Sequence, residues 1–290
     1  MIAGYHLGLP LWGMSAWVGN FYSPGTRSAE FLAEYATVFN AVEGNTTFYQ
    51  IPSAETVSRW HASTPDGFRF CFKLPGEITH ERRLRDAQAT TNAFFGRMEP
   101  LGERLGPFMV QLPASFAPDG LAVLEGFLRT LPSEFSYAVE VRHRAFFDNR
   151  EFRRQLNERL IEAGMERVIM DTRAMRSGAT DDPDVQRALH DKPDLPVQEI
   201  CLSGQPLVRF IGSPDSEIND PWLRAWVGLL EGWIGEGRRP FFFVHCPNNL
   251  HAPPLAGRFH AMLASALGER VGTLPAAPAT SDSKQLGLFS

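Results

Sequence analysis

Hydrophobic and polar positions alternate in short bursts along this chain, and each burst gives way to a longer stretch where apolar residues return every three or four positions. In residues 137–143, Tyr-Ala-Val-Glu-Val-Arg-His, alternation sets Ala138, Glu140 and Arg142 on one face and Val139, Val141 and His143 on the other. Comparable bursts at 5–12, 41–45, 68–74, 107–112, 168–171, 207–212 and 241–245 predict eight strands in all.

The intervening stretches predict helices. Ser28 is positioned to cap a helix carrying Phe31, Leu32, Tyr35, Ala36 and Phe39, and Ser53 to cap one carrying Val57 and Trp60. Residues 87–101, 121–131 and 151–163 continue the pattern. Asp220-Pro221 is a helix start, with Asp as cap and Pro in the first turn, ahead of Trp222, Trp226, Leu229, Leu230 and Trp233, and a last helix is expected over 254–267. Residues 172–205, rich in Asp, Pro, Ser and Gly with a short helical piece at 185–190, form an excursion after the sixth strand, as a lid or a plain insertion would.

Strand and helix in repeated alternation predict a parallel sheet, and eight repeats predict one (β/α)8 TIM barrel over residues 1–271. An open doubly wound sheet has the same element order, but no GxGxxG or GxxxxGK[ST] phosphate loop follows any strand. From 272 to 290 the sequence is too poor in large apolar residues to pack until its last few positions, so a flexible linker is expected there.

Composition narrows the function classes. With 43% hydrophobic and 21% charged residues the chain reads as a soluble globular protein. A net charge of -5 argues against binding nucleic acid through bulk charge, although a local basic patch is compatible with it. Cys71, Cys201 and Cys246 have neither the number nor the spacing of a disulfide framework or a zinc knuckle, which fits a reducing cytoplasm. No apolar run reaches membrane-spanning length, and no basic leader precedes the first apolar residues, so a cytoplasmic, unanchored protein is expected.

Inward parity places Glu43 and Asn45, Lys73, Gln111, Glu140 and Arg142, Asp171, Arg209, and His245 near the carboxyl ends of successive strands, where barrel active sites gather. Glu43, Glu140, Asp171 and His245 are the candidate acid–base groups, as in a hydrolase or lyase. Asn45, Lys73, Gln111, Arg142 and Arg209 are candidate ligand contacts. His80 and Arg83, in the basic loop after the third strand, and Tyr49, as a stacking wall, extend the set. Arginine's planar fork suits carboxylate or phosphate, so a small anionic ligand is the natural inference. A buried network of mutually neutralised charges accounts for the same residues without chemistry. No cofactor is required by the pattern; the acids with His245 could ligate a divalent cation, which the interspersed bases would repel, so no metal site is assigned. Lys73 as an imine-forming lysine would need a depressed pKa, and neighbouring carboxylates would be expected to stabilise its charge instead.

Several segments together resemble the DUF72 family, also termed YecE-like or UPF0759. They are residues 12–22 (WGMSAWVGNFY), 42–49 (VEGNTTFY), Lys73-Leu74-Pro75 with Ile78-Thr79-His80 and Arg83-Leu84, Gln111-Leu112-Pro113 with Phe116, 138–143 (AVEVRH), Asp171-Thr172, Val208-Arg209-Phe210 and Asn248-Asn249. The resemblance implies a TIM barrel, adds Asn248 and Asn249 to the candidate contacts, and carries no settled reaction. Gly44 departs from it where a larger apolar residue is expected, and Ile211 where histidine is common. The tail Gln285-Leu286-Gly287-Leu288-Phe289 resembles the short peptides by which bacterial polymerases and repair proteins dock on the sliding clamp, with Gln285, Leu286, Leu288 and Phe289 as anchors. Together these imply an enzyme acting on a small anionic or phosphorylated compound, a nucleotide or DNA lesion among the candidates. The alternative is a non-catalytic module tethered to the clamp.

Overall fold

The computed structural model describes residues 1–178 and 181–279; the clamp-like anchors Gln285, Leu286, Leu288 and Phe289 lie outside the described residues. Parallel strands close on themselves. β1 (His6–Leu9) pairs with β2 (Ala41–Gly44), which pairs with β3 (Arg69–Phe72). Bridges Phe70↔Leu105 and Lys73↔Met109 join β3 to β4 (Phe108–Gln111), and β4 pairs with β5 (Tyr137–Glu140). β6 (Glu166–Arg167) and β7 (Ile169–Asp171) are two halves of one stave, the first on β5 and the second on β8 (Leu207–Ile211). β9 (Phe241–His245) pairs with β8 and returns to β1. The result is the expected TIM barrel.

Alternation along the staves divides the interior into layers. Ala41, Cys71, Met109, Ala138, Val168, Leu207, Phe241 and Phe243 form one fully enclosed apolar cluster that plugs the barrel. Their neighbours Val42, Phe70, Val139, Val208 and Phe242 face outward into the larger core shared with the helices. Two residues beyond the plug come Glu43, Lys73, Gln111, Glu140, Arg209 and His245, all buried. Because the strand repeat is two residues, the apolar plug fixes which polar side chains meet at the mouth.

Local signals set most helix boundaries, with two corrections. α1 (Phe31–Val38) does not use Ser28: Glu30 holds the N-cap position, its carboxylate bonded back to the backbone and guanidinium of Arg27. α2 (Ala54–Ala62) starts as expected, with Ser53 Oγ accepting from the Thr56 N–H. α3 (Gln88–Met98), α4 (Leu121–Leu128), the single turn α5 (Ala145–Asp148) and α6 (Arg150–Glu162) follow the next three strands. The excursion holds α7 (Arg173–Ser177) and α8 (Pro183–Asp191), the latter capped by Asp182. α9 (Asp220–Gly235) includes Asp220 rather than being capped by it, because that carboxylate is drawn to Arg258 on α10 (Ala252–Leu267) at 2.6 and 2.7 Å. Packed chain also continues past the boundary expected at 271: Leu274 and Ala277 lie against the core, and the Ala279 N–H bonds the Phe21 carbonyl.

The two departures from family expectation have packing reasons. At Gly44 a Cβ would lie 2.2 Å from the ring of Phe72, so that ring occupies the side-chain space. Ile211 joins Met175 and Val185 in a small apolar cluster that seats α8 over the barrel mouth. Gly44→Ala should therefore cost about 1–3 kcal/mol by overpacking. Gly126→Ala, in open space on exposed α4, should gain up to about 1 kcal/mol. Urea unfolding of the two variants measures both, and equal stabilities would show that Phe72 does not confine the site.

Candidate functional site

Arg209 is the centre of the polar layer. Its Nε and Nη2 donate to the two oxygens of Glu43, each at 2.8 Å, and its Nη1 donates to Glu140 Oε2 at 2.6 Å. Glu140 Oε1 accepts from Arg142 Nε at 2.6 Å, and Arg142 Nη2 donates to Gln111 Oε1 at 3.1 Å. On the other side His245 Nε2 meets Glu43 Oε2 at 3.0 Å, while Lys73 Nζ stands 3.9 Å from Glu43 Oε1. Side chains from six staves are thus tied together by two guanidiniums and two carboxylates.

Above this layer opens a pocket of about 700 Å³. Trp12, Asn45, Tyr49 and Asn249 contribute to its wall, Lys73, Gln111, Arg142, Arg209 and His245 reach it from the barrel, and Asp184, Arg187, Asp191 and Lys192 line it from α8 and the residue after it. The excursion is therefore a cover for the mouth. Asn45 and Asn249 each hold a buried side-chain oxygen with no hydrogen-bond partner among the described residues, the kind of acceptor a ligand donor or a water would satisfy.

Burial would raise Glu43, but Arg209, His245 and Lys73 overcome it and hold the carboxyl well below its usual range. Burial is overcome likewise at Glu140, which Arg209, Arg142 and Lys73 bring down to about 2. Both acids are charged at neutral pH and neither has a proton to donate. His245 is pushed by burial, against the pull of Glu43, down to about 4; a neutral ring that meets a carboxylate through Nε2 carries its proton there. Lys73 behaves opposite to the sequence expectation: burial, joined by Arg209, outweighs both carboxylates and lowers it to about 7. Lys192 is lowered by burial and Arg209 to about 8. Of the shifted groups in this layer, the two lysines are brought towards neutrality, while Glu43 and Glu140 are moved away from it.

Four candidates lie elsewhere. Asp171 faces outward, because Val168 fills the plug and Asp171 is odd in register to it; its carboxylate accepts from Arg173 and from Trp226 Nε1 of α9 at 2.8 Å. Arg83 braces one loop on another through the Ser115 hydroxyl and carbonyl. His80 sits edge-on to Phe48 and bonds Thr79, outside the pocket lining. Asn248 caps the turn Asn249–His251 by accepting from the Leu250 N–H. Among the described residues, no cluster of three or more His, Cys, Asp or Glu is arranged to hold a metal. Lys192 was missed. Its signal was scarcity: of 28 lysines and arginines, only Lys73, Lys192 and Lys284 are lysine.

The loop after β3 adds conformational strain beside the site. Following a π-helical turn at Glu77–Glu81, Arg83, Leu84 and Asp86 all have positive φ, at 48°, 67° and 49°. Such residues cost of order 1–3 kcal/mol each and cluster at functional sites.

Comparison with known proteins identifies the family and the fold. The sequence profile of a family described as "Protein of unknown function DUF72" matches residues 6–281. UPF0759 protein YecE of Escherichia coli strain K12 is 40% identical over 273 residues, covering 94% of this chain and 97% of YecE. Among solved structures, a DUF72 family protein from Enterococcus faecalis superposes with a TM-score of 0.69 at 19% identity, covering 89% of this chain and 95% of that one. Another from Thermotoga maritima gives 0.68 at 24% identity, covering 89% and 98%. These two likenesses speak for the fold.

Removing Arg209 would leave two buried carboxylates without their main partner. Arg209→Met is expected to cost about 3–5 kcal/mol, measured by denaturant unfolding at neutral pH. Because Glu140 titrates at about 2 in the fold against an ordinary 4.5, its contribution is complete above the ordinary value and lost as pH falls towards 2. The wild-type protein should lose stability over that window. An identical slope in Arg209→Met would disconnect the acid limb from this network.

Proposed function

The chain belongs to the DUF72 family, and we propose that its barrel mouth binds a small anionic compound and acts on it through amine acid–base chemistry. The observation that carries this is the state of Lys73 and Lys192. Both line one pocket, both are buried enough to be pulled towards neutrality, and neither ammonium makes a hydrogen bond among the described residues. In the inner layer Lys73, Arg142 and Arg209 stand against Glu43 and Glu140, and above it Lys192 and Arg187 stand with Asp184 and Asp191. An incoming carboxylate or phosphate would supply the missing acceptors, and those contacts are charge-assisted.

Access favours a small molecule over a polymer. The cations lie inside the mouth beneath α8, within a pocket of about 700 Å³, a volume suited to a metabolite-sized ligand. Arg209 is committed to positioning Glu43 and Glu140, whereas Lys73, Lys192 and the rim of Arg142 are free to meet the ligand. Asn45 and Asn249 supply polar contacts at the wall. A hydrolase or lyase driven by Glu43 or Glu140 as general acid is disfavoured, because both are held ionised.

Inorganic phosphate is expected to raise the melting temperature by several degrees over chloride at equal ionic strength, as binding to the folded state does. Lys73→Met with Lys192→Met should abolish the rise. The anion binds the protonated amines, so the effect of sulfate, whose own charge is constant, should weaken as pH rises through about 7 to 8, a range in which Glu43, Glu140 and His245 hold their charge state. A phosphate effect unchanged in the double variant, or a sulfate effect unchanged with pH, would remove the reading.

A further inference from the structure

The chain uses arginine almost everywhere it needs a cation. Among 28 basic residues, three are lysine, and two of these, Lys73 and Lys192, face the same pocket. Where positive charge alone is wanted, arginine serves, as it does at Arg142 and Arg209 beside them. What arginine lacks is a nitrogen that can shed its proton at neutral pH and attack an electrophile. Two lysines meeting at a barrel mouth in so lysine-poor a chain point to amine chemistry.

Lys73 has the better-fixed position. Its backbone N–H bonds the Gly44 carbonyl, its carbonyl accepts from Thr47 Oγ1 at 2.7 Å, and the next N–H bonds the Met109 carbonyl, which holds it between two neighbouring staves. Its side chain is 11% exposed, with the amine at the pocket and Glu43 at 3.9 Å. Arg209 and Arg142 stand near enough to disfavour the ammonium form. Lysines flanked by another cation in a desolvated site are activated nucleophiles for the same reason. Lys192 follows the end of α8 and lines the same pocket.

We propose that Lys73 forms an imine with a small carbonyl compound bearing a carboxylate or phosphate, whose anionic group is held by Lys192 and Arg142. This rests on the anion-binding reading of the pocket and names the ligand class. The Nζ lone pair attacks the carbonyl carbon, the C=O π pair moves to oxygen, and a nitrogen proton passes to that oxygen to give a carbinolamine. The nitrogen lone pair then forms C=N as the C–OH bond breaks, and hydroxide leaves as water with a proton from solvent. The resulting iminium keeps a positive charge at the place where Glu43 and Glu140 already supply negative charge. Those carboxylates therefore position and stabilise, while Lys73 is the catalytic residue.

Reductive trapping tests the proposal on the full chain. The protein is incubated with cyanoborohydride and glyoxylate, pyruvate, glycolaldehyde phosphate, or uncharged acetaldehyde, and the modified amine is located by peptide mass mapping. Lys73 should be labelled ahead of Met1 and Lys284, and an anionic carbonyl should label it ~10-fold or more faster than acetaldehyde, the discrimination expected of charge-assisted hydrogen bonds. The carboxylate and phosphate arms distinguish which anion the pocket prefers, and inorganic phosphate should suppress both. Lys192→Met should slow labelling of Lys73 by the anionic carbonyls towards the acetaldehyde rate while leaving the acetaldehyde rate itself in place. Labelling of Met1 and Lys284 with Lys73 untouched, while phosphate still raises the melting temperature, overturns the imine and leaves anion binding standing. Loss of both effects overturns the two together.

Discussion

One guanidinium organises this molecule's functional end. Arg209 grips both oxygens of Glu43 with one edge and Glu140 with the remaining nitrogen, and from those carboxylates the contacts extend to His245, Lys73, Arg142 and, through it, Gln111. Two carboxylates buried to 1% exposure or less are tolerable only because this fork satisfies them. Once it does, both are held as anions, with no proton to donate at neutral pH. The carboxylates become the frame of the site.

The same frame sets the state of the lysines. Glu43 and Glu140 attract Lys73, but burial and the neighbouring arginine charges outweigh them, since Arg209 has already claimed most of the carboxylate field. Lys192 feels the same competition. A site with a fixed ionic layer below and labile amines above can bind an anion without rearranging its floor. It also keeps a reactive nitrogen apart from the groups that stabilise its positive product. The strained turn at Arg83, Leu84 and Asp86, anchored to Ser115, belongs to the same division of labour: it holds the loop after β3 in place while contributing no group to the pocket.

Much of the barrel was legible from alternation. Ala138 and Glu140, Cys71 and Lys73, Met109 and Gln111, and Phe243 and His245 each put an apolar residue in the plug and a polar one above it, and a two-residue repeat admits no other facing. Strand six is where that reading failed. Both faces of a barrel strand are buried, one by the plug and one by helices, so Asp171 had no solvent side to reveal its parity; the partners that decide it, Arg173 and Trp226, lie on α7 and α9. Helix starts divided in the same way. Ser53 needed only its own helix to act as a cap, whereas Asp220 was taken by Arg258, 38 residues away.

Sequence by itself determined the strand and helix alternation, the closed parallel architecture it implies, and the inward residues of most staves, because each follows from short-range periodicity. It also marked the family through segments spread from Trp12 to Asn249. Only the tertiary structure decided which charges are free. Whether a carboxylate is a base or a brace depends on how many donors reach it, and the donors of Glu43 and Glu140 arrive from other staves. Whether a lysine is an ion or an amine depends on desolvation and on the sum of charges around it, which no local spacing encodes. Folding α8 across the mouth brought Lys192 into the pocket that Lys73 lines, and burial lowers both amines towards neutral pH.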